Sequence, residues 1–255
     1  MKEGITVVKI GGNVIDDAAA LKRFLGVFAS LPGRKILVHG GGKLATRLAE
    51  RLELKVRMVE GRRITDKGML DVVTMVYAGL VNKQIVAGLQ AAGCNAIGLS
   101  GADGNIVTAR RSPEPIDFGF VGDIERVDSD LLGRLLETEL TPVFPAIMHD
   151  GCGTLLNCNA DSVASAVALG AARLAPTDLV YCFEKRGVLR DPDDEQSVIA
   201  EITAESYPPL KADGTVSRGM IPKIENALKA VGQGVRSVTI RSSEGLGDGS
   251  GTVIR

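Results

Sequence analysis

Short runs of β-branched and aliphatic residues recur along the chain: Ile5-Thr6-Val7-Val8, Lys35-Ile36-Leu37-Val38, Asn95-Ala96-Ile97-Gly98-Leu99, Thr141-Pro142-Val143-Phe144, Asp178-Leu179-Val180-Tyr181 and residues 235–240. Their length and apolar character predict buried strands. Between them apolar residues fall at helical spacing, as in Leu21, Phe24, Leu25 and Phe28, or in Leu44, Leu48, Arg51 and Leu52, which predicts helices with one face turned to a core. Regular alternation of the two predicts an α/β fold, a three-layer αβα sandwich around a mainly parallel open sheet. Two stretches break the alternation, residues 55–65 and 105–128. There strand-like runs flank the turn residues Glu60-Gly61 and Ser112-Pro113, and β-hairpins forming a lid over the substrate end are predicted. Ala175-Pro176-Thr177 marks a junction between lobes 1–175 and 176–255, because proline stops a helix and a fresh strand follows.

Composition narrows the classes of function. With 255 residues, 45 % of them hydrophobic, the chain can bury a full core, and 30 basic against 31 acidic side chains give no global field for nucleic acid or an anionic membrane. Anion recognition therefore has to be local. Cys94, Cys152, Cys158 and Cys182 form no C-x-x-C pair and have no histidine at ligand spacing, so no protein-held metal is expected and free thiols in a reducing cytoplasm are. The apolar stretch at residues 163–172 is too short to span a bilayer, and Met1-Lys2-Glu3-Gly4 carries no signal-peptide core.

Local anion chemistry is concentrated at two glycine turns, Lys9-Ile10-Gly11-Gly12-Asn13 and His39-Gly40-Gly41-Gly42, each at the carboxyl end of a predicted parallel strand. Open α/β sheets bind ligands at that end, where backbone N–H groups and helix dipoles converge on anions. A Walker loop is excluded, because Leu37 stands where its first glycine would be and Leu44 replaces Ser or Thr after Lys43; neither turn carries the spaced glycines of a dinucleotide fold. Lys9 interrupts an apolar strand, and Lys223 follows Pro222 in the first turn of a predicted helix, where the dipole repels a cation. Both suit an anionic partner, although a snorkelling lysine and an ordinary helix start remain open on this ground alone. Asn159 and Asp161 fit a helix cap and first turn, and Arg63 suits a carboxylate.

Taken with Gly61-Arg62-Arg63-Ile64-Thr65-Asp66, Ala78-Gly79-Leu80-Val81-Asn82-Lys83, Leu99-Ser100-Gly101-Ala102-Asp103-Gly104, Asp117-Phe118-Gly119-Phe120-Val121-Gly122, Asn157-Cys158-Asn159-Ala160-Asp161 and Gly219-Met220-Ile221-Pro222-Lys223, these residues resemble the amino-acid kinase superfamily, and within it the branch acting on N-acylated glutamate. The resemblance implies the amino-acid kinase fold and ATP-dependent phosphorylation of the γ-carboxylate of N-acetyl-L-glutamate, the second step of arginine biosynthesis. It implies Lys9 and Lys223 as transition-state cations, Asp161 as the carboxylate holding them, and Gly41, Gly42, Arg63 and Asn157 as acyl-glutamate contacts. It places the nucleotide at Gly11, Gly12, Glu184, Gly187 and Leu189, with Mg²⁺ carried on the ATP phosphates, and gives the first lobe to acyl-glutamate and dimerisation and the second to the nucleotide. With eight residues before Lys9, it further implies a homodimer insensitive to arginine.

The chemistry agrees with those roles, since a γ-carboxylate with a pKa near ~4 is ionised at neutral pH and needs charge neutralisation rather than a general base. One segment departs from the family: Phe183-Glu184-Lys185-Arg186-Gly187-Val188-Leu189 replaces a run reading Thr-Asp-Val-Pro-Gly-Val-Leu. An N-succinyl acceptor is the alternative substrate and calls for another cation, from Lys67, Arg110, Arg111 or Arg126, because Arg62 and Arg63 should point to opposite faces of their strand. A non-catalytic amino-acid-binding module would be expected to lose the two lysines. A hydrolase reading of Gly98-Leu99-Ser100-Gly101-Ala102 departs from the nucleophile motif at Ala102 and has only His149 as a later histidine.

Overall fold

The computed structural model describes residues 4–59, 61–112, 116–191, 193–216 and 220–255. Met1 to Glu3, Glu60, Pro113 and Gly219, named above, lie outside the described residues.

Strand β1 (Ile5–Ile10) runs through the first glycine turn into the short helix α1 (Gly12–Asp16) and then α2 (Ala18–Ser30), capped by the Asp17 carboxylate, which accepts from the N–H groups of Ala19 and Ala20. β2 (Arg34–His39) leads through the second turn into α3 (Gly42–Arg51). A hairpin of β3 (Met58–Val59) and β4 (Arg62–Arg63) follows, then α4 (Lys67–Val73), a π-helical stretch Thr74–Val81 and α5 (Asn82–Ala91). β5 (Ala96–Gly98), the hairpin β6 (Val107–Arg111) and β7 (Val121–Val127), α6 (Ser129–Glu137), β8 (Thr141–Pro145), β9 (Ile147–His149), β10 (Leu155–Cys158) and α7 (Ala160–Ala172) complete the first part. Beyond Pro176 come β11 (Thr177–Phe183), β12 (Glu201–Ile202), α8 (Tyr207–Ala212), α9 (Ile221–Gly232), β13 (Ser237–Ser242) and β14 (Thr252–Ile254).

Eight strands form one sheet in the order β12-β14-β13-β11-β1-β2-β8-β5. From β13 to β5 every pairing is parallel, and only β14 runs antiparallel to β13. The sheet crosses the 175/176 junction without a break, since β1 pairs with both β2 and β11. Period-two alternation splits β1 between two cores: Ile5 and Val7 pack with Val163 and Val167 of α7, while Val8 and Ile10 pack with Phe24, Leu25 and Phe28 of α2. Burying a ring such as Phe28, which is fully enclosed, contributes about 1.5–3 kcal/mol.

Three expectations are refined. The apolar face of α3 is carried by Ala45 and Ala49, fully buried, while Leu44 and Leu48 are only partly covered and Leu52 is 52 % exposed. Small side chains occupy the line of closest packing, and the larger ones cover its flanks. Second, β6 and β7 do not lie loose over the sheet but close with β9 and β10 into a four-stranded unit. Third, the long apolar helix is the 25-residue run Lys67–Ala91, sufficient by length and composition to cross a membrane, rather than residues 163–172. It is a core helix: Met69, Leu70, Val73, Val76, Val81, Ile85 and Leu89 are buried in the second core, and Lys67, Asp71 and Lys83 interrupt it.

Candidate active site

The carboxyl ends of β1, β2 and β11 converge where the two glycine turns lie. Lys9 is the fifth residue of β1 and 9 % exposed; alternation turns it toward α7, on the same side as Val7. Its Nζ meets Asp161 Oδ1 at 2.7 Å. Asp161 is held there by α7, whose cap Asn159 accepts from the N–H groups of Asp161 (2.9 Å) and Ser162 (3.1 Å), and by the Tyr181 hydroxyl, which donates to the Asp161 carbonyl (3.1 Å). Capping and ion pairing thus both occur, divided between Asn159 and Asp161.

Lys223 arrives from the first turn of α9, directly after Pro222, and its Nζ stands 3.6 Å from the centroid of the Phe183 ring. Burial lowers its pKa; Asp161 opposes that, Lys9 adds to it, and Glu184 opposes it. Among the described residues Asp161 pairs with Lys9 and makes no ion pair within 4.0 Å of Lys223, so the aromatic ring, not the carboxylate, is the contact of the second lysine.

A cavity of about 720 Å³ is lined by Lys9, Gly11, Gly12, Phe183, Glu184, Gly187 and Lys223. Leu189 is not part of that lining; it forms an isolated bridge with Val198. Of the expected nucleotide residues, Gly11, Gly12, Glu184 and Gly187 line this cavity. A second cavity, of about 310 Å³, opens between α7 and α9 and shares Asp161, Phe183 and Lys223.

The third cavity, about 190 Å³, is lined by Gly40, Gly41, Gly42, Arg62, Arg63, Tyr77 and Asn157. Arg63, 8 % exposed, donates from Nη2 to the Gly42 carbonyl (3.0 Å) and Thr46 Oγ1 (2.8 Å), while its Nη1 is buried with no hydrogen-bond partner. A buried guanidinium nitrogen without a partner is costly and suits a carboxylate. Asn157 donates to Thr65 Oγ1 (3.0 Å), which in turn donates to the Arg63 carbonyl (2.9 Å). Arg62 also lines this cavity, against the expectation of opposite faces, because β4 is only two residues long. Its guanidinium nonetheless turns elsewhere, to Asp123 (2.9 Å) and Ser112 (2.6 Å).

The second glycine turn is fixed from beneath. His39 is fully buried; its Nδ1 lies 2.8 Å from the Gly40 carbonyl and its Nε2 3.1 Å from Asn82 Nδ2, which also donates to the Val143 carbonyl (3.0 Å). The amide donates on one side, so the Nδ1–H tautomer donates to Gly40. Burial lowers the His39 pKa to about 4, and the ring stays neutral. Lys43 donates to Asn13 and Arg47 pairs with Asp16 (3.1 Å), joining the helices that follow the two turns.

Sequence reasoning missed Tyr77 and Phe183 as site residues. Tyr77 lies in the π-helical stretch, where burial raises its pKa and the neighbouring Arg63 only partly offsets that. Its one sequence signal was a tyrosine within an otherwise aliphatic helix. The cations weighed for a succinyl group are engaged: Lys67 with Asp71, Arg110 with Glu125, Arg126 with Asp128, and Arg111 over the Phe120 ring. The hydrolase reading fails on contact, because Ser100 Oγ donates to the Asp103 carboxylate (2.7 Å), and His149 Nδ1 accepts from the Gly151 N–H.

Residues 4–242 match the family model of the amino acid kinase family. The acetylglutamate kinase of Phocaeicola vulgatus is 49 % identical, covering 100 % of both chains. That of Cytophaga hutchinsonii is 51 % identical over 94 % of this chain and 92 % of its own. A solved N-acetylglutamate synthase from Neisseria gonorrhoeae, complexed with coenzyme A and N-acetyl-glutamate, superposes with a TM-score of 0.82 over 98 % of this chain and 59 % of that one; at 23 % identity the likeness is one of fold.

Proposed function

The chain belongs to the amino acid kinase family, and we propose that it catalyses ATP-dependent phosphorylation of the γ-carboxylate of N-acetyl-L-glutamate, giving N-acetyl-L-glutamyl 5-phosphate for arginine biosynthesis in the cytoplasm. The observation that carries this reading is the pair Lys9 and Lys223 on one wall of the large cavity, beside a smaller cavity where Arg63 has a buried nitrogen without a partner. ATP takes the large cavity, its phosphates toward Gly11 and Gly12, with Glu184 and Gly187 on the nucleotide side. The acyl-glutamate takes the small one, its α-carboxylate on Arg63 and its chain along Gly41, Gly42 and Asn157.

The γ-carboxylate oxygen forms a bond to the γ-phosphorus as the bond to the β,γ-bridging oxygen breaks, and ADP leaves with that electron pair. No proton moves, so no base is required. Lys9 and Lys223 stabilise the charge spread over the transferring oxygens, and Asp161 fixes Lys9. Mg²⁺ would be carried on the ATP phosphates, where it would neutralise negative charge.

We assign lobe 1–175 to the acceptor and to dimer contacts and lobe 176–255 to the nucleotide. Supporting this, the acceptor cavity is lined entirely from the first lobe, and Met75 (53 % exposed) and Leu80 (50 %) offer an apolar helix surface there to a second copy. The large cavity draws on both lobes. The test is ADP release with MgATP and N-acetyl-L-glutamate, run beside N-succinyl-L-glutamate and no acceptor. The expected result is acceptor-dependent ADP formation with the acetylated substrate; none with it overturns the proposal.

A further inference from the structure

Tyr181 and Phe183 are two residues apart on β11, so both rings stand on the sheet face that α7 covers. Their centroids lie 5.9 Å apart, stacked at 22°. In the parallel register Lys9 lies opposite Tyr181, one pleat before Phe183, and its Nζ is 5.4 Å from the Phe183 centroid. Lys223 approaches the same ring from α9, at 3.6 Å. Both distances lie inside the ~6 Å range in which the negative face of an aromatic ring attracts an ammonium.

The ring answers a conflict of charges. Two ammonium groups converge on one cavity, and among the described residues only Asp161, through Lys9, is ion-paired with either. Glu184 lines the same cavity and acts on Lys223 through space without forming an ion pair within 4.0 Å; a carboxylate in direct contact with Lys223 would hold it but add negative charge beside the nucleotide phosphates. An aromatic face holds a cation without carrying net charge.

We propose that Phe183 is a positioning residue for phosphoryl transfer, its ring holding the Lys9 and Lys223 ammonium groups at the cavity wall without adding an anion. The inference rests on the roles given to the two lysines above. It also gives a physical sense to the departure at this segment, where Phe183 takes the place of a small polar residue.

Phe183→Leu keeps apolar bulk and removes the ring; it should lower kcat about tenfold, the scale of losing a desolvated cation–π contact, with both KM values changed less than about twofold. Phe183→Tyr should restore kcat. Stepwise fluorination of the Phe183 ring, which weakens the negative face at nearly constant size, should lower kcat step by step. A readout independent of turnover is the ring-current upfield shift of the Lys223 ε-methylene protons, present in the wild type and lost in Phe183→Leu. Full kcat in Phe183→Leu, a flat fluorination series, or absence of the ring-current shift overturns the proposal. Absence of turnover in the wild type would overturn the proposed reaction, and the proton shift would still decide the role of the ring.

Discussion

At the end of β2, a Cβ on Gly41 would come within 2.9 Å of Tyr77 Cδ1, on a backbone with φ of +156° that L-residues rarely adopt. At the end of β1, a Cβ on Gly12 would meet nothing within 4 Å. The second glycine turn is also held from below by His39 on the Gly40 carbonyl and from above by Arg63 on the Gly42 carbonyl, whereas Gly11 has only the Cys182 carbonyl nearby, at 3.5 Å from its notional Cβ. The second turn is therefore built by the protein to a fixed shape. The first is left open, and under the proposed reaction that space takes the ATP phosphates. A small acceptor must be sorted from its analogues by fixed contacts, and a triphosphate can be gripped by lysines once it arrives.

The contrast is broken most severely through His39. Its pKa is about 4 in the folded protein against 6.5 for the unfolded group, so between those values the unfolded chain binds more protons. Stability should be fully present above about pH 6.5 and fall as pH drops toward 4, with an upper bound of about 3 kcal/mol from that gap at ~1.36 kcal/mol per pH unit. Urea unfolding across pH 4–8 measures it. His39→Gln should be less stable at pH 8 and should flatten this part of the slope; an unchanged slope would remove His39 as its source.

A smaller effect is expected from methyl groups on the two turns. Gly41→Ala should cost about 1–3 kcal/mol of stability through overpacking and strain and should raise KM for the acceptor more than for ATP. Gly12→Ala, unobstructed in the protein alone, should change stability by less than about 1 kcal/mol while raising KM for ATP. Equal stability losses in thermal unfolding would erase the difference between the turns.

Much of this was readable from the chain. The apolar runs became the parallel strands, and Lys9 stood out because a charge in a buried strand demands a partner. What stayed hidden depends on register and on close packing. Lys9 meets Asp161 and Phe183 because β1 aligns with β11 and α7 crosses above them, and no local spacing records that. The core face of α3 lay in alanines because the helix packs closely, and Tyr77 reaches the second glycine turn through a π-helical stretch that ordinary helical periodicity does not anticipate. Leu189, which the family resemblance gave to the nucleotide, bridges Val198 and is not among the residues lining the large cavity.

In the proposed reaction two ammonium groups, with no general base, carry phosphoryl transfer to an already ionised carboxylate. Rapid-quench single-turnover kinetics with MgATP and N-acetyl-L-glutamate tests it in the wild type, Lys9→Ala and Lys223→Ala. Each substitution should slow the transfer step by ~10²-fold or more, the scale of losing one charge-stabilising donor. Transfer at the wild-type rate in both variants would contradict that mechanism.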